Sequence, residues 1–219
     1  VEGTTSSIDF VYDVLFAYAK KHIAEYLQTH ASDPTVSDIA QALGQEAAIT
    51  ADICDSEDCT RVVLAAIELM NKDVKSTPLK SLQGRIWKSG FQSGQLVSHV
   101  FDDVPPSLAM WSASGIDIRI YSSGSIEAQK LFFSHTTAGD LTKHLRGHYD
   151  TTTGPKREKA SYQKIAHDIG FNPENILFLS DVGAELDAAR AAGMATGATI
   201  RPGNKPLESL SDLDQIETF

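Results

Sequence analysis

NILFLSDVGAELDAARAAGM, residues 175–194, is a short apolar run followed by an alanine-rich segment. The run is nearly continuous in hydrophobic residues and ends at Ser180 and Asp181, a pattern typical of a parallel strand buried on both faces. The alanine-rich segment predicts a helix that stops at Gly193. This strand-then-helix unit is the starting point for assigning the fold class.

The segments on either side continue the same alternation. Upstream, residues 116–125 are a β-branched run that ends in serine and glycine, and residues 125–135 have helical character. A further helix over roughly residues 156–169 is predicted to end at Gly170. Downstream, ATGATIRPG (residues 195–203) predicts another strand. Strands that alternate with helices indicate an α/β fold with a parallel sheet covered by helices.

The first half of the chain has a different periodicity. VYDVLFAYAKKHIAEYL, residues 11–27, places its apolar side chains on one helical stripe, and helical patterns continue to about residue 99. Thr77 and Pro78 predict an N-cap followed by proline at the first helical position. We therefore predict an α/β core over residues 1–12 and 101–219, with a helical cap inserted over residues 13–100.

Composition excludes several classes of protein. The 219-residue chain has a formal net charge of −10, which argues against a nucleic-acid or anionic-membrane surface. No apolar run approaches the length of a bilayer span. The two cysteines, Cys54 and Cys59, match neither a zinc knuckle nor a redox pair. We expect a cytoplasmic protein, and an anionic substrate would need a local positive site.

Four places carry candidate functional residues: Glu2 in the opening turn, Ser122 and Ser123 after one strand, Lys156 before a helix, and Asp181 after another strand. Ligands of open α/β sheets bind at the carboxyl ends of strands, so these side chains are expected to converge. Hydroxyl and ammonium groups suit phosphate oxygens, and a strand-end aspartate suits Mg²⁺. Taken singly, each has a simpler explanation, such as a turn, a surface charge or a helix cap.

The chain resembles the phosphatases of the haloacid-dehalogenase superfamily, and among them the acireductone synthase (enolase-phosphatase) family of methionine salvage. The resemblance rests on blocks that span nearly the whole chain: VEGTTS, VLFAYA, KSTPLKSLQGRIW, YSSGSIEAQKLFF, GHYDTTTGPKREKASY, ILFLSDVGAELDAARAAGM and IRPGN. It implies a Rossmann-like parallel sheet core of the haloacid-dehalogenase type with an inserted helical cap.

The resemblance also implies roles for the candidate residues. Glu2 resembles the catalytic acid/base, whose backbone carbonyl approaches Mg²⁺. Ser122 and Ser123 resemble the phosphate-binding serines. Lys156 resembles the lysine that neutralises the phosphoryl oxygens, and Asp181 resembles the metal ligand.

The implied reaction is the Mg²⁺-dependent conversion of 2,3-diketo-5-methylthiopentyl-1-phosphate to the acireductone 1,2-dihydroxy-3-keto-5-methylthiopentene and phosphate. In that family a nucleophilic aspartate, delivered by a central strand, would stand immediately before Val1. We therefore expect the sequence to be an N-terminally incomplete part of a longer protein. Glu185 is a further candidate near the metal.

We expect the protein to be a monomer that acts on a small phosphorylated metabolite. Two other functions remain open from the residues alone. The first is a general small-molecule phosphatase of the same superfamily, without the enolisation step. The second is a non-catalytic phosphate-binding module. A response-regulator receiver domain shares the acidic strand ends but lacks a helical insertion of this length.

Overall fold

The computed structural model describes residues 1–49, 51–72, 74–206 and 214–219. The chain forms two compact units. The α/β unit comprises Val1–Val11 and Val97–Phe219, and the helical unit comprises Tyr12–Leu96. The chain thus leaves the first unit after Val11 and returns to it at Val97. None of the helices in the described ranges is both long and apolar enough to cross a membrane.

The helical unit is built from four helices in its described residues: α1 (Ala17–Thr29), α2 (Pro34–Ala47), α3 (Ser56–Asn71) and α4 (Thr77–Gln92). A π-helical segment, Phe10–Phe16, precedes α1. Each helix contributes one apolar stripe to a shared core, since Ile23, Leu43, Val62 and Leu82 are all almost fully buried. The unit therefore has a hydrophobic core of its own.

The α/β unit contains five strands and four helices in its described residues. The helices are α5 (Val104–Ala113), α6 (Ile126–Ser134), α7 (Lys159–Ile169) and α8 (Gly183–Ala191). The strands are β1 (Arg119–Tyr121), β2 (Gly147–Tyr149), β3 (Leu177–Ser180), β4 (Ala195–Thr199) and β5 (Asp214–Ile216). All paired strands are parallel, in one sheet ordered β1-β2 and another ordered β3-β4-β5. The α/β class and the parallel sheets predicted from the sequence are confirmed.

Helices α7 and α8 form the local core beside β3 and β4. Tyr162 of α7 packs with Ala188 and Ala189 of α8, and the ring of Phe178 on β3 meets Tyr162 edge-on at 4.9 Å between centroids. The alanines of residues 188–192 allow this close approach because they add little bulk between helix and sheet. This packing places the carboxyl end of β3 beside the start of α8.

Three details differ from the sequence predictions. Ser76, and not Thr77, is the N-cap of α4, because its hydroxyl accepts a hydrogen bond from the Leu79 N–H at 3.1 Å. Helix α7 begins at Lys159, later than predicted. The prediction that β3 is buried on both faces is wrong, because Leu177 is 58% exposed. β1 and β3 each pair with a strand on one side only within the described ranges, which leaves β3 less covered than a central strand.

Candidate active site

The opening residues fold into a tight turn around one carbonyl group. The carbonyl oxygen of Val1 accepts hydrogen bonds from the N–H groups of Thr4, Thr5 and Ser6 at 2.9–3.3 Å. It also accepts from the hydroxyls of Thr4 and Thr5, at 3.0 and 3.1 Å. Threonine suits both positions because its hydroxyl can bond a nearby carbonyl while its N–H bonds the same atom. The turn is thus closed by its own side chains.

Gly3 lets this turn approach Asp181. Its φ angle is +72°, and a Cβ atom there would lie 2.2 Å from Oδ2 of Asp181. Real Cβ atoms do not approach other atoms so closely, so the aspartate carboxylate packs directly on the glycine backbone. Only glycine fits both the backbone angle and the space.

Asp181 follows the last residue of β3 and is half-buried. Burial raises the pKa of its carboxyl group above the ordinary value, and Glu185 adds to this effect, while Lys156 opposes it. Loss of solvent disfavours the charged form of a carboxylate that lacks a close cationic partner. A bound cation would reverse this cost.

Lys156 is held by an ion pair. Its Nζ atom lies 2.6 Å from Oε2 of Glu185, and both side chains are mostly buried. The hydroxyl of Ser180 donates to the same carboxylate oxygen at 2.9 Å. Because Glu185 is fixed from two sides, it fixes the ammonium group in turn. The ring of Tyr121 lies beside this ammonium, with 5.8 Å from Nζ to the ring centroid.

Ser122 and Ser123 stand just beyond the carboxyl end of β1. Ser122 is buried, and its hydroxyl accepts a hydrogen bond from the N–H of Gly124 at 3.3 Å. Ser123 is exposed. Ser125, two residues after Ser123, caps helix α6 by accepting from the Ala128 N–H at 3.2 Å. The two serines therefore occupy a short loop pinned at a strand end and at a helix start.

Asp150, which the sequence analysis did not single out, ties this loop to the next one. Its Oδ2 atom accepts from the N–H of Ile126, at the start of α6, at 3.2 Å, and its Oδ1 atom accepts from the N–H and hydroxyl of Thr152. Burial opposes ionisation of Asp150, but these hydrogen bonds outweigh it and hold the pKa of Asp150 below its ordinary value. Its position at the end of a strand (β2) was the signal that could have identified it.

All of the predicted site residues line one cavity of about 220 Å³. Glu2, Ser122, Ser123, Lys156 and Asp181 share it with Glu185. Tyr121 and Ser180, which sequence reasoning missed, also line it. Each of these two directly precedes a predicted residue at a strand end. The structure thus brings together side chains that come from four separate parts of the chain.

The oxygen groups in this cavity fit a hard cation only in part. No group of three or more His, Cys, Asp or Glu side chains within the described ranges is arranged to hold a metal. Mg²⁺ requires less, since it usually keeps several waters and binds through one or two carboxylates plus substrate phosphate. Asp181 supplies one carboxylate. Of the first six carbonyl groups, that of Glu2 is the one that accepts no hydrogen bond from the described residues.

Comparison with known proteins identifies the family. Residues 4–193 match the model of the haloacid dehalogenase-like hydrolases. The chain is 45% identical over 223 residues to "Enolase-phosphatase E1" of Synechococcus elongatus, covering 100% of this chain and 93% of that protein. It is 47% identical over 204 residues to the protein of the same name from Pseudomonas aeruginosa, covering 93% of this chain and 88% of that protein.

A solved structure is also similar to this chain over its full length. The crystal structure of the UTR4 protein of Saccharomyces cerevisiae is similar to this chain, with a TM-score of 0.82 and 34% sequence identity. The alignment covers 100% of this chain and 95% of the yeast chain. The chain therefore belongs to the haloacid dehalogenase-like hydrolases and, within them, to the enolase-phosphatase E1 family.

Proposed function

We propose that this chain acts on 2,3-diketo-5-methylthiopentyl-1-phosphate, enolising it and then removing its phosphate to give the acireductone of methionine salvage. The observation that carries the proposal is the shared cavity. It gathers a carboxylate, two serines, an ammonium group and a strand-end aspartate around a space of about 220 Å³. The near-complete match to proteins named enolase-phosphatase supports the same conclusion.

The phosphate group would bind between the serines and the lysine. Ser122 and Ser123 offer hydroxyl donors at the end of β1, and Ser123 also offers a backbone N–H, whereas the N–H of Ser122 donates to the carbonyl of Tyr149 at 3.1 Å. Lys156 offers a positive charge. Charge-assisted hydrogen bonds of this kind are the strong ones, and stabilisation of phosphoryl charge supplies most of the catalysis in such reactions. Glu185 keeps the ammonium group in place before substrate arrives.

The charges that line the cavity favour the binding of a cation. The carboxylates of Asp181 and Glu185 and the ammonium of Lys156 line it and together carry a charge of about −1, leaving aside Glu2, which the proposed step uses as a proton donor. A phosphate ester would meet a net repulsion there. The carboxylate of Asp181 and the carbonyl of Glu2 would hold Mg²⁺, which when bound supplies Lewis-acid polarisation of oxygen and neutralises phosphoryl charge.

Glu2 is suited to proton transfer during phosphoryl transfer. In the proposed step an aspartate immediately before Val1 attacks phosphorus, a new P–O bond forms, and the bond to the substrate oxygen breaks. Glu2 donates its proton to that leaving oxygen and then takes a proton from the water that hydrolyses the aspartyl-phosphate. Phosphate leaves and the carboxylates return to their starting state.

The remaining features of the proposal follow from the same family and composition. We take the helical unit, residues 12–96, to be the cap that excludes water while the enol forms. A net charge of −10 gives no basis for nucleic-acid or membrane binding, so the partner is a small phosphorylated metabolite. The proposal places the protein in the cytoplasm as a monomer.

The test uses the protein extended upstream of Val1 to include the expected aspartate. Phosphate release from the diketone phosphate is measured with and without Mg²⁺, and enol formation is followed by ultraviolet absorbance. We expect Mg²⁺-dependent release preceded by the enol signal. Equal turnover of simple phosphate esters without enol formation would identify a general phosphatase instead, and ester binding without turnover would identify a binding module.

A further inference from the structure

Three side-chain hydroxyl groups donate hydrogen bonds to the backbone of the loop that carries Lys156. The hydroxyl of Tyr121 donates to the carbonyl of Gly154 at 2.8 Å, and that of Ser161 donates to the carbonyl of Pro155 at 2.7 Å. The hydroxyl of Tyr162 donates to the carbonyl of Lys156 itself at 2.6 Å. Consecutive carbonyls are thus bonded by side chains from β1 and α7. We call Tyr121, Ser161 and Tyr162 the hydroxyl clamp.

The tyrosines of the clamp are rigid and remain donors. Tyr162 is 1% exposed, and its ring meets Tyr121 and Phe178 edge-on, with centroids 5.6 and 4.9 Å away. Burial raises the pKa of both phenols above the ordinary value, so both stay protonated at neutral pH. A buried ring with a fixed hydroxyl loses little further entropy when it holds the loop.

The loop also has little room to move. A Cβ atom at Gly154 would lie 2.2 Å from Oγ of Ser161, so the glycine backbone is in close contact with the clamp. Proline follows at position 155 and fixes its own φ angle. The backbone that leads to Lys156 is therefore restricted by Pro155 within the loop and by the hydroxyl groups of β1 and α7 outside it.

We propose that Tyr121, Ser161 and Tyr162 are positioning residues that set where the Lys156 ammonium meets the phosphoryl group. The ion pair with Glu185 fixes the tip of the lysine side chain, and the clamp fixes its backbone. Tyr121 contributes at both ends, since its ring also lies 5.8 Å from Nζ. The inference rests on the proposed function, because it assigns a task to the lysine of that same site.

The experiment compares Tyr162→Phe with Tyr149→Phe in the protein extended upstream of Val1. Both changes remove one buried phenol hydroxyl. The Tyr149 hydroxyl bonds the carboxylate of Asp168 and the guanidinium of Arg119, and none of its hydrogen bonds reaches the loop. Thermal unfolding, kcat and KM are measured for both, together with calorimetric binding of inorganic phosphate in Mg²⁺.

We expect Tyr162→Phe to lower kcat roughly tenfold and to weaken phosphate binding severalfold, because small displacements of a positioned group are costly. Tyr149→Phe should lose comparable thermal stability yet keep kcat and phosphate affinity. Tyr121→Phe, which keeps the ring beside Nζ, should resemble Tyr162→Phe and replaces it if that variant does not fold. Equal kcat and equal phosphate affinity in the clamp and control variants would overturn the proposal.

The two proposals can fail separately. If the native protein binds phosphate but does not turn over the diketone phosphate, the proposed function fails, and weaker phosphate binding by Tyr162→Phe still supports the clamp. If turnover and phosphate affinity are both the same in the clamp variants as in Tyr149→Phe, the clamp proposal alone is wrong. If the native protein binds no phosphate, both are wrong.

Discussion

Replacing Gly3 by alanine tests the contact between the opening turn and Asp181. The new Cβ atom would lie 2.2 Å from Oδ2, whereas ordinary contacts begin near 3.4 Å. The carboxylate or the turn must therefore shift by about 1 Å, a displacement that can cost roughly a hundredfold in rate at a catalytic group. We expect Gly3→Ala to lose most Mg²⁺-dependent phosphate release and to need much more Mg²⁺ for half-maximal activity.

Gly115→Ala is a matched control for the cost of placing a side chain on a residue with a positive φ angle. Gly115 lies in the same unit with φ +81°, close to the +72° of Gly3, but a Cβ atom there would meet nothing within 4 Å. In both variants the positive φ angle alone should lower the free energy of unfolding by about 1–2 kcal/mol, because alanine is disfavoured there. Only Gly3→Ala carries the additional collision with the carboxylate.

The assay separates the two effects directly. Unfolding free energies come from denaturant titration, and phosphate release is measured across a range of Mg²⁺ concentrations below the unfolding transition. If Gly3→Ala retains the activity and the Mg²⁺ dependence of Gly115→Ala, then the close approach at Asp181 does not matter to the site, and the argument from packing is refuted.

The other predictions concern charged groups. Lys156→Ala should nearly abolish phosphate release while Lys159→Ala, which removes an exposed charge of α7, should not; equal losses would contradict the assignment. Asp181→Asn should reduce Mg²⁺-dependent release to near background, and full activity would remove this residue from the metal site. Burial opposes ionisation of Asp103, but hydrogen bonds from the Phe219 N–H and Arg201 outweigh it and lower the pKa of the carboxyl group. The ionised carboxylate therefore stabilises the folded protein above about pH 4, the ordinary pKa of an unfolded aspartate. This stabilisation is lost as the pH falls through the lower pKa of the folded state. Denaturant titration should show Asp103→Asn less stable by about 2 kcal/mol at pH 7, with the difference shrinking in acid; a constant difference would contradict the linkage.

Local sequence patterns were sufficient for the features that depend on neighbouring residues. The helix stop at Gly170 adopts φ +80°, as a C-terminal glycine should, and the apolar run before Asp181 forms a strand. Strand ends also indicated that Ser122 and Asp181 would lie near one another, since ligands bind at the carboxyl ends of parallel strands. The two residues do line one cavity, although β1 and β3 belong to separate sheets in the described ranges. These inferences need only periodicity, turn chemistry and the direction of the strands.

Contacts between distant parts of the chain could not be read in the same way. The N-cap at Ser76 differs from the predicted one by a single position, since adjacent serine and threonine have equal capping chemistry. The exposure of Leu177 depends on which strands flank β3, and the run's composition carries no information about them. The hydroxyl clamp joins β1, α7 and a loop, so no spacing rule reveals it.

The closing IRPGN block (residues 200–204), together with Thr199 just before it, shows how such contacts hold the opening turn. Thr199 and Asn204 donate to the carbonyl of Gly3 at 3.1 and 2.9 Å, and Arg201 donates to that of Thr4 at 3.0 Å. These residues lie nearly two hundred positions away from the turn along the chain. The sequence alone therefore gave no structural role for this block.

The hydrogen bonds of the opening turn involve all of its first six carbonyl groups except that of Glu2, within the described residues. The carbonyl of Val1 accepts hydrogen bonds from donors within the turn, and that of Thr5 accepts one from the Phe101 N–H. The carbonyls of Gly3 and Thr4 accept hydrogen bonds from the side chains of Thr199 and Arg201. The Glu2 carbonyl takes no hydrogen bond from the described residues, and Glu2 is exposed, so this carbonyl is accessible to water or to a ligand. It is the carbonyl of this turn that the proposed Mg²⁺ would share with the Asp181 carboxylate.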